Sequence, residues 1–170
     1  YDSTFGGGTC SSTSPCYDVT VTQIDTDLSG INAILYSTYL GNNNRDKGLG
    51  MVLDPDGNVY LTGYSESDGY PTRNAIQSVR KGNKDIIVSV ISPSLSGDAS
   101  LLYSTYFGTS GYEAGYDIAR DANGNLYLTG RTDSPKFPLR DPIQYQSHAG
   151  SCSGSPCIES FVTKLNITSN

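Results

Sequence analysis

The strongest constraint on the fold of this chain is an internal repeat with a period of 67 residues. The sequence Leu-Tyr-Ser-Thr-Tyr occupies residues 35–39 and returns at 102–106, and the pattern Asp-x-x-Gly-Asn-x-Tyr-Leu-Thr-Gly of residues 54–63 returns at 121–130. Across residues 35–77, 19 of 43 positions are identical in the second copy. Such a repeat indicates a tandem array in which each unit stacks on its neighbours.

The end of the unit occurs three times, at residues 21–24, 88–91 and 162–165. The third occurrence follows a seven-residue insertion that lies around Cys152 to Cys157, and Cys157 is the positional counterpart of Cys16. The chain therefore divides into a partial repeat at 1–30, a first unit at 31–97, and a second unit with the insertion at 98–170.

The first residues of the chain predict a truncated unit. Residues 1–6, Tyr-Asp-Ser-Thr-Phe-Gly, weakly resemble residues 103–108, Tyr-Ser-Thr-Tyr-Phe-Gly. Because the sequence begins with Tyr1 rather than Met, we expect a processed or partial chain.

Each unit predicts four short strands, which in the first unit cover residues 34–40, about 48–53, 59–63 and 85–91. An Asp-Pro-Asp-Gly-Asn turn separates the second strand from the third. The 13 Tyr, 19 Gly and 8 Pro residues are typical of short strands joined by tight turns. We therefore predict an all-β fold of tandem four-stranded antiparallel sheets.

The fourth strand also predicts which side chains are buried. Its equivalent positions Gln23, Val90 and Lys164 differ in polarity, so we expect this side to face solvent. The positions that stay apolar are expected to face the core: Ile24, Ile91 and Leu165.

Several separated blocks of the sequence resemble the SBBP-type β-propeller repeat of bacterial and archaeal surface proteins. These blocks are residues 36–41, residues 54–63, the Phe137-Pro138 step and residues 161–166. The resemblance implies the blade-like sheets of a partial β-propeller in an exported protein, with a structural or unassigned role. It implies no catalytic residues.

Two and a half units are fewer than the four to eight blades, roughly, that close a propeller ring. Open sheets expose unpaired strand edges, and these pair readily with other chains. We therefore expect copies of the chain to complete one another's edges, which would make it a structural subunit of an extracellular filament or surface layer. The alternative is a fragment of a larger closed propeller that acts in adhesion or carbohydrate binding.

Composition argues against several other classes. A net charge of −6 without a Lys or Arg cluster disfavours a nucleic-acid partner, and no apolar run is long enough to span a membrane. The sequence Gly-Ser-Cys-Ser-Gly at 150–154 has Cys where a hydrolase elbow has Ser, and His148 is the only imidazole. We therefore expect no enzymatic activity.

The four cysteines form two close pairs, Cys10 with Cys16 and Cys152 with Cys157. Local disulfides within each pair are the favoured interpretation, with crossed pairing as an alternative, and they indicate an oxidising compartment outside the cell. A zinc site that combines His148 with the cysteines is a second alternative, and free thiols are a third.

Three further kinds of candidate site lie outside the cysteine loops. Asp54 and Asp56 are spaced closely enough to bind calcium, but an Asx turn explains them without any cofactor. The sequon at Asn166 predicts glycosylation. Four tyrosines in or beside loops are candidates for stacking on sugars, with packing between sheets as the favoured alternative: Tyr64, Tyr70, Tyr112 and Tyr116.

Overall fold

A computed structural model describes residues 9–11, 14–147, 151–152 and 155–167. These residues form short strands and two single 3₁₀ turns, at Gly30–Ala33 and Gly97–Ser100, and no helix among them is long and apolar enough to cross a membrane. The strands are β1 (Thr9–Ser11), β2 (Ser14–Pro15), β3 (Val19–Ile24), β4 (Ile34–Leu40), β5 (Asp46–Leu53), β6 (Val59–Ser65), β7 (Asp85–Ile91), β8 (Leu101–Phe107), β9 (Glu113–Arg120), β10 (Leu126–Thr132), β11 (Ser151–Cys152), β12 (Ser155–Pro156) and β13 (Glu159–Leu165).

The longer strands form three antiparallel sheets in chain order. The N-terminal sheet contains β3 and β4, the central sheet has the order β5-β6-β7-β8, and the C-terminal sheet has the order β9-β10-β13. Two short hairpins, β1-β2 and β11-β12, lie in the cysteine-containing segments. The prediction of an all-β fold built from tandem antiparallel sheets is confirmed.

The sheets do not begin and end where the repeat units do. The first strand of the second unit, β8, pairs along its length with the last strand of the first unit, β7. β4 pairs with β3 in the same way. The short 3₁₀ turn before β8 returns the chain beside β7, whereas the segment after β8 crosses to the next sheet. The central sheet therefore combines the last three strands of the first unit with the first strand of the second unit.

One apolar core lies between the N-terminal and central sheets, and a second lies between the central and C-terminal sheets. The strand β7 contributes side chains to both. Ile87 and Ile91 pack towards the N-terminal sheet, and Ile86 and Val88 pack towards the C-terminal sheet. All seven residues of β7 are buried, as expected for a strand with a sheet against each face.

The expected orientation of the fourth strand is only partly correct. Val90 is 3% exposed, because the C-terminal sheet covers the face that was expected to be exposed to solvent. Ile24 was expected in the core but is 61% exposed, because β3 lies in the first sheet of the stack. Position within the stack, rather than position within the repeat, decides burial at these sites.

The two Asp-x-x-Gly-Asn turns, one joining β5 to β6 and the other joining β9 to β10, are each organised by one carboxylate. Asp54 accepts hydrogen bonds from the amides of Asp56 and Asn58 at 3.0 and 2.9 Å, and from the side chains of Asn58 and Tyr60 at 3.0 and 3.2 Å. Partial burial raises the pKa of Asp54, but these hydrogen bonds outweigh it and hold the pKa below its usual value. The Asx turn thus accounts for Asp54, and Asp56 contributes its main-chain amide.

The second copy repeats this turn around Asp121. Its carboxylate accepts from the amides of Asn123 and Asn125, both at 2.9 Å, and from the side chains of Asn125 and Tyr127 at 2.7 and 3.2 Å. Asn123, at the position of Asp56, performs the same main-chain role, so the turn does not depend on the second carboxylate.

The glycine that ends each Tyr-Leu-Thr-Gly segment is required by a β-bulge. The register between β9 and β10 shifts between Thr129 and Gly130. A Cβ on Gly130 would lie 2.0 Å from the carbonyl oxygen of Ala114 and 2.8 Å from the ring of Phe161. Gly63 is equally crowded, by the carbonyl of Lys47, so only glycine fits at this position in both copies.

We predict that Gly130→Ala lowers the free energy of unfolding by at least about 2 kcal/mol, because the backbone of β9 must move to admit the methyl group. Chemical denaturation followed by circular dichroism measures this effect. The control is Thr129→Ala at the neighbouring exposed position, which should change stability by less than about 0.5 kcal/mol. Equal effects of the two substitutions would contradict the explanation.

Candidate functional site: two incomplete sheets

The central sheet shows how a complete sheet holds its fourth strand. One edge of β8 pairs with β7. On the other edge, the loop between β6 and β7 exchanges two main-chain hydrogen bonds between Arg73 and Ser104, at 2.8 and 2.9 Å, and the Gln77 carbonyl accepts from the Tyr106 amide at 3.0 Å. Because both edges are occupied, β8 offers little to an outside strand.

The side chains of the Ser-Thr-Tyr segment in β8 anchor the strand further. Ser104 and Ser89 hydroxyls share a hydrogen bond of 2.8 Å, and Thr105 accepts from the Gln77 amide at 3.0 Å. The Tyr106 hydroxyl donates to the Ser67 carbonyl at 2.5 Å and accepts from the Tyr70 amide at 2.9 Å. Burial raises the pKa of Tyr106 to about 12, so the phenol stays protonated to a higher pH than an exposed tyrosine does.

A pair of buried carboxylates fixes the end of β8. Asp85 accepts from the Gln77 side chain at 2.6 Å and from the Gly82 amide at 2.9 Å, and Glu113 accepts from Thr132 at 3.2 Å. A Cβ on Gly108 would lie 2.8 Å from Glu113 Oε2 and 2.9 Å from Asp85 Cγ, so both carboxylates contact this glycine. Burial first, and then the nearby charge of Asp85, raise the pKa of Glu113.

The same arrangement joins the N-terminal sheet to the central sheet. Asp18 contacts Gly41, and Asp46 accepts from the Asn42 amide and the Ser67 hydroxyl, both at 2.8 Å. Burial is the main cause that raises the pKa of Asp46, and the charge of Asp18 adds to it. The carboxylate pairs were not among the residues that the sequence singled out. The matching acidic residues at positions 46 and 113 were the available signal.

The C-terminal sheet lacks a fourth strand within the described residues. β13 occupies the position of β7 but pairs only with β10. Val162 is 76% exposed, whereas its counterpart Val88 is completely buried. In the adjacent loop, Ile143 and Tyr145 are also strongly exposed. Among the described residues, no strand therefore pairs with β13 in the way that β8 pairs with β7 in the central sheet.

The N-terminal sheet lacks the first two strands of a complete sheet, as far as the structure describes it. β3 pairs only with β4. Leu49, Met51 and Leu53 form an apolar row on β5, and Met51 is 62% exposed. The counterpart of Met51 in the next sheet is Ile118, which packs against the central sheet and is 4% exposed. The exposed row thus marks the surface that two further strands would cover.

The three cysteines whose side chains the structure describes are disulfide-bonded. Cys10 and Cys16 bond to each other, in the pairing favoured from the sequence, with a Cα–Cα distance of 5.0 Å. Cys157 is also disulfide-bonded, while the side chain of its predicted partner Cys152 and all of His148 lie outside the described residues. Cys10 and Cys16 therefore supply no thiolate to a zinc ion.

The four candidate tyrosines do not form one surface. Tyr70 is 3% exposed and donates or accepts a hydrogen bond with Ser89 at 3.1 Å, so its assignment as a sugar contact is wrong. The Tyr64 hydroxyl bonds to that of Tyr17 at 2.9 Å, and burial together with this contact raises the pKa of Tyr64. Tyr112 and Tyr116 are each 47% exposed and remain candidates.

The sequon asparagine lies directly after β13. Asn166 is exposed, and its side-chain amide donates to Asn125 Oδ1 at 3.2 Å. Residue 168, which completes the sequon, lies outside the described residues. Glycosylation at Asn166 stays a prediction, and the attached sugar would replace one hydrogen of this amide.

The profile of the SBBP β-propeller repeat matches residues 35–71 and 102–138. Each repeat of the chain thus contains one segment that matches the SBBP β-propeller repeat. Each matched segment begins in the last strand of one sheet and continues through the first two strands of the next, so the repeat crosses a sheet boundary. None of the curated proteins with which the chain was compared matches it.

The carboxylate pairs predict an unusual pH dependence. Because Asp46 and Glu113 have raised pKa values in the folded protein, their contribution to stability is fully present below their unfolded values of about 4 and is lost as the pH rises through the folded values. We therefore expect the protein to be more stable near pH 5 than near pH 7.

Thermal melts at both pH values measure this difference. The double variant Asp46→Asn, Glu113→Gln should lose most of the stabilisation on acidification. Asp56→Asn is the matched control, because its counterpart is already Asn123, and it should retain the wild-type profile. A wild-type profile in the double variant would show that other groups cause the pH dependence.

Proposed function

We propose that this SBBP repeat protein is a non-enzymatic structural subunit of an extracellular filament or surface layer, assembled from copies of itself through the edges of its outer sheets. One observation carries the proposal. The central sheet has four strands with β8 held on both edges, whereas the sheets on either side have two and three strands among the described residues.

The incomplete sheets offer both polar and apolar contacts to a neighbour. An open strand edge presents a row of main-chain donors and acceptors that another strand can pair with. The exposed row of Leu49, Met51 and Leu53 adds apolar surface, whose burial contributes about 25 cal/mol per Å². With only 16% charged residues, the chain has few side chains that would repel a second copy.

The two ends of the sheet stack are different surfaces, and this decides the kind of assembly. A contact between the N-terminal sheet of one copy and the C-terminal sheet of another is heterologous, since each partner uses a different patch. Repetition of such a contact produces a helical filament, or a ring where the rotation closes. A filament or layer therefore forms where the rotation between copies does not close a ring.

An extracellular location is supported by the disulfide between Cys10 and Cys16, because disulfides persist in oxidising compartments. The Asn166 sequon is consistent with export, and glycans there would lie beside β13 on the surface of the assembly.

The second candidate is a segment of a larger closed propeller that binds a surface or a carbohydrate. The exposed rings of Tyr112 and Tyr116 favour it, since exposed aromatic rings can stack on sugars. In that case the chain stays monomeric, and a glycan array detects binding that Tyr116→Ala removes.

We predict that the purified protein forms concentration-dependent polymers, visible by negative-stain electron microscopy and by light scattering. Met51→Lys should reduce polymer formation at least about tenfold, because a charge enters the apolar row. Leu95→Lys, at a similarly exposed leucine in the turn before β8, is the control and should polymerise normally. Compact particles of 18.1 kDa at every concentration would refute self-assembly.

A further inference from the structure

The two carboxylate pairs at the sheet junctions are held by the same backbone arrangement. Asp18 and Asp46 each directly follow one residue of an isolated parallel bridge, and Asp85 and Glu113 do so one repeat later. The main chain therefore brings the two members of each pair together in the same way. The pair of Asp85 and Glu113, called the reference pair below, shows how such a junction is completed by the protein itself.

In the reference pair, each of the four carboxylate oxygens accepts a hydrogen bond. Asp85 Oδ1 accepts from the Gly82 amide at 2.9 Å, and Oδ2 accepts from one side-chain amide and one main-chain amide at 2.6 and 2.9 Å. Glu113 Oε1 accepts from the Thr132 hydroxyl, and Oε2 accepts from the Thr109 amide, both at 3.2 Å. The protein thus satisfies both carboxylates of this pair.

The first pair cannot repeat one of these contacts, because both of its partners are smaller. Where the second copy has Glu113 and Thr132, the first has Asp46 and Ser65. Aspartate is one methylene shorter than glutamate, and serine lacks the methyl group of threonine. The Ser65 hydroxyl donates to the main-chain carbonyl of Ser67 at 3.4 Å instead. The exchange of two side chains therefore leaves space beside Asp46.

One oxygen of Asp46 lacks a partner as a result. Among the described residues, no group donates a hydrogen bond to Asp46 Oδ1, although the residue is completely buried. Burial raises the pKa of Asp46, and the nearby hydroxyls of Ser65 and Ser67 offset this only in part. A buried carboxylate is unfavourable unless positive charge or hydrogen bonds compensate it, so this oxygen indicates a ligand.

A second carboxylate lies beside the same space. The three atoms nearest to a Cβ on Gly41 all belong to Asp18, with Oδ1 at 2.5 Å, whereas the atom nearest to a Cβ on Gly108 is Glu113 Oε2. Asp18 thus occupies the position next to the glycine that the longer Glu113 reaches in the reference pair. After burial, the charge of Asp18 also raises the pKa of Asp46, which is consistent with two carboxylates close to each other.

We infer that a calcium ion binds between the carboxylates of Asp18 and Asp46, with the Ser65 hydroxyl as a further ligand. The ion compensates the buried Asp46 oxygen, as the Thr132 hydroxyl compensates Glu113 in the reference pair. Asp18 is only partly buried, which gives the ion a route from solvent. The site belongs to the single chain and is independent of the proposed self-assembly.

The ligands of this site are those that a hard cation prefers. Carboxylate and hydroxyl oxygens suit Ca²⁺, whereas Zn²⁺ prefers His and Cys, and the nearby Cys16 is in a disulfide. The described residues contain no group of three or more His, Cys, Asp or Glu that could hold a metal, so the other ligands are neutral oxygens and water. We therefore expect weak binding, with a Kd of about 10⁻⁴ to 10⁻³ M, as in extracellular calcium modules.

Thermal melts of the metal-free protein at about pH 8 test the site, because protons compete with calcium for the carboxylates. Calcium chloride at about ten times the Kd should raise the Tm by about 3 to 6 °C. Magnesium chloride at the same concentration should raise it by less than about 1 °C, since Mg²⁺ gives up its water reluctantly. Isothermal titration calorimetry should show a single calcium ion for each chain.

Matched variants locate the ion. Asp46→Glu combined with Ser65→Thr gives the first pair the side chains of the reference pair, so this double variant should fold and lose the calcium response. Asp18→Asn removes one charge from the partly exposed side and should weaken calcium binding at least about tenfold. Asp56→Asn is the control, because Asp56 lies in the Asx turn and its counterpart is Asn123, and it should keep the wild-type response.

The outcomes decide both the presence and the place of the ion. A Tm that does not respond to calcium would overturn the site. An equal rise with magnesium chloride, or with sodium chloride of the same ionic strength, would also overturn it, because the salt would then act by screening the net negative charge. A wild-type calcium response in Asp18→Asn, with loss of the response in Asp56→Asn, would place the ion in the Asx turn instead.

Discussion

The structure depends on the fact that every β-strand has two edges whose main-chain groups need partners. In the central sheet this requirement is met by different means on the two edges of β8, with β7 on one side and a loop on the other. The loop does more than connect β6 to β7, since its Arg73 and Gln77 backbone groups act as a fifth strand would. The outer strand of a complete sheet is thereby protected from pairing with another chain.

This arrangement explains why the repeat and the sheet are out of phase. The first strand of each repeat pairs with the last strand of the previous unit. The first strand of a unit therefore belongs to the preceding sheet. The carboxylates of Asp85 and Glu113 meet at Gly108, where the chain leaves one sheet for the next. Repetition of that contact at Asp18, Gly41 and Asp46 shows that the junction is part of the repeat itself.

The sequence was sufficient to predict the strands and the turns. The Asp-x-x-Gly-Asn pattern predicts a turn from local chemistry alone, and the turn at Asp54 is built as expected. Sheet phase could not be predicted in this way, because the alternation of residues 34–40 is the same whichever neighbour the strand pairs with. Burial of Val90 and exposure of Ile24 depend on which sheet lies next in the stack, and no local pattern contains that information.

The last strand of the C-terminal sheet, β13, differs from its counterpart β7 in the chemistry of one face. On the face of β13 that points away from the stack, Ser160 and Lys164 stand where β7 has the buried Ile86 and Val90. A neighbour packed on this face alone would bury little apolar area and would have to desolvate a lysine. The loop residues that contact β8 in the central sheet, in contrast, keep their residue types in the C-terminal sheet, as Ser134, Arg140 and Gln144. The two sheets therefore share the loop that borders the last strand and differ on the outer face of that sheet.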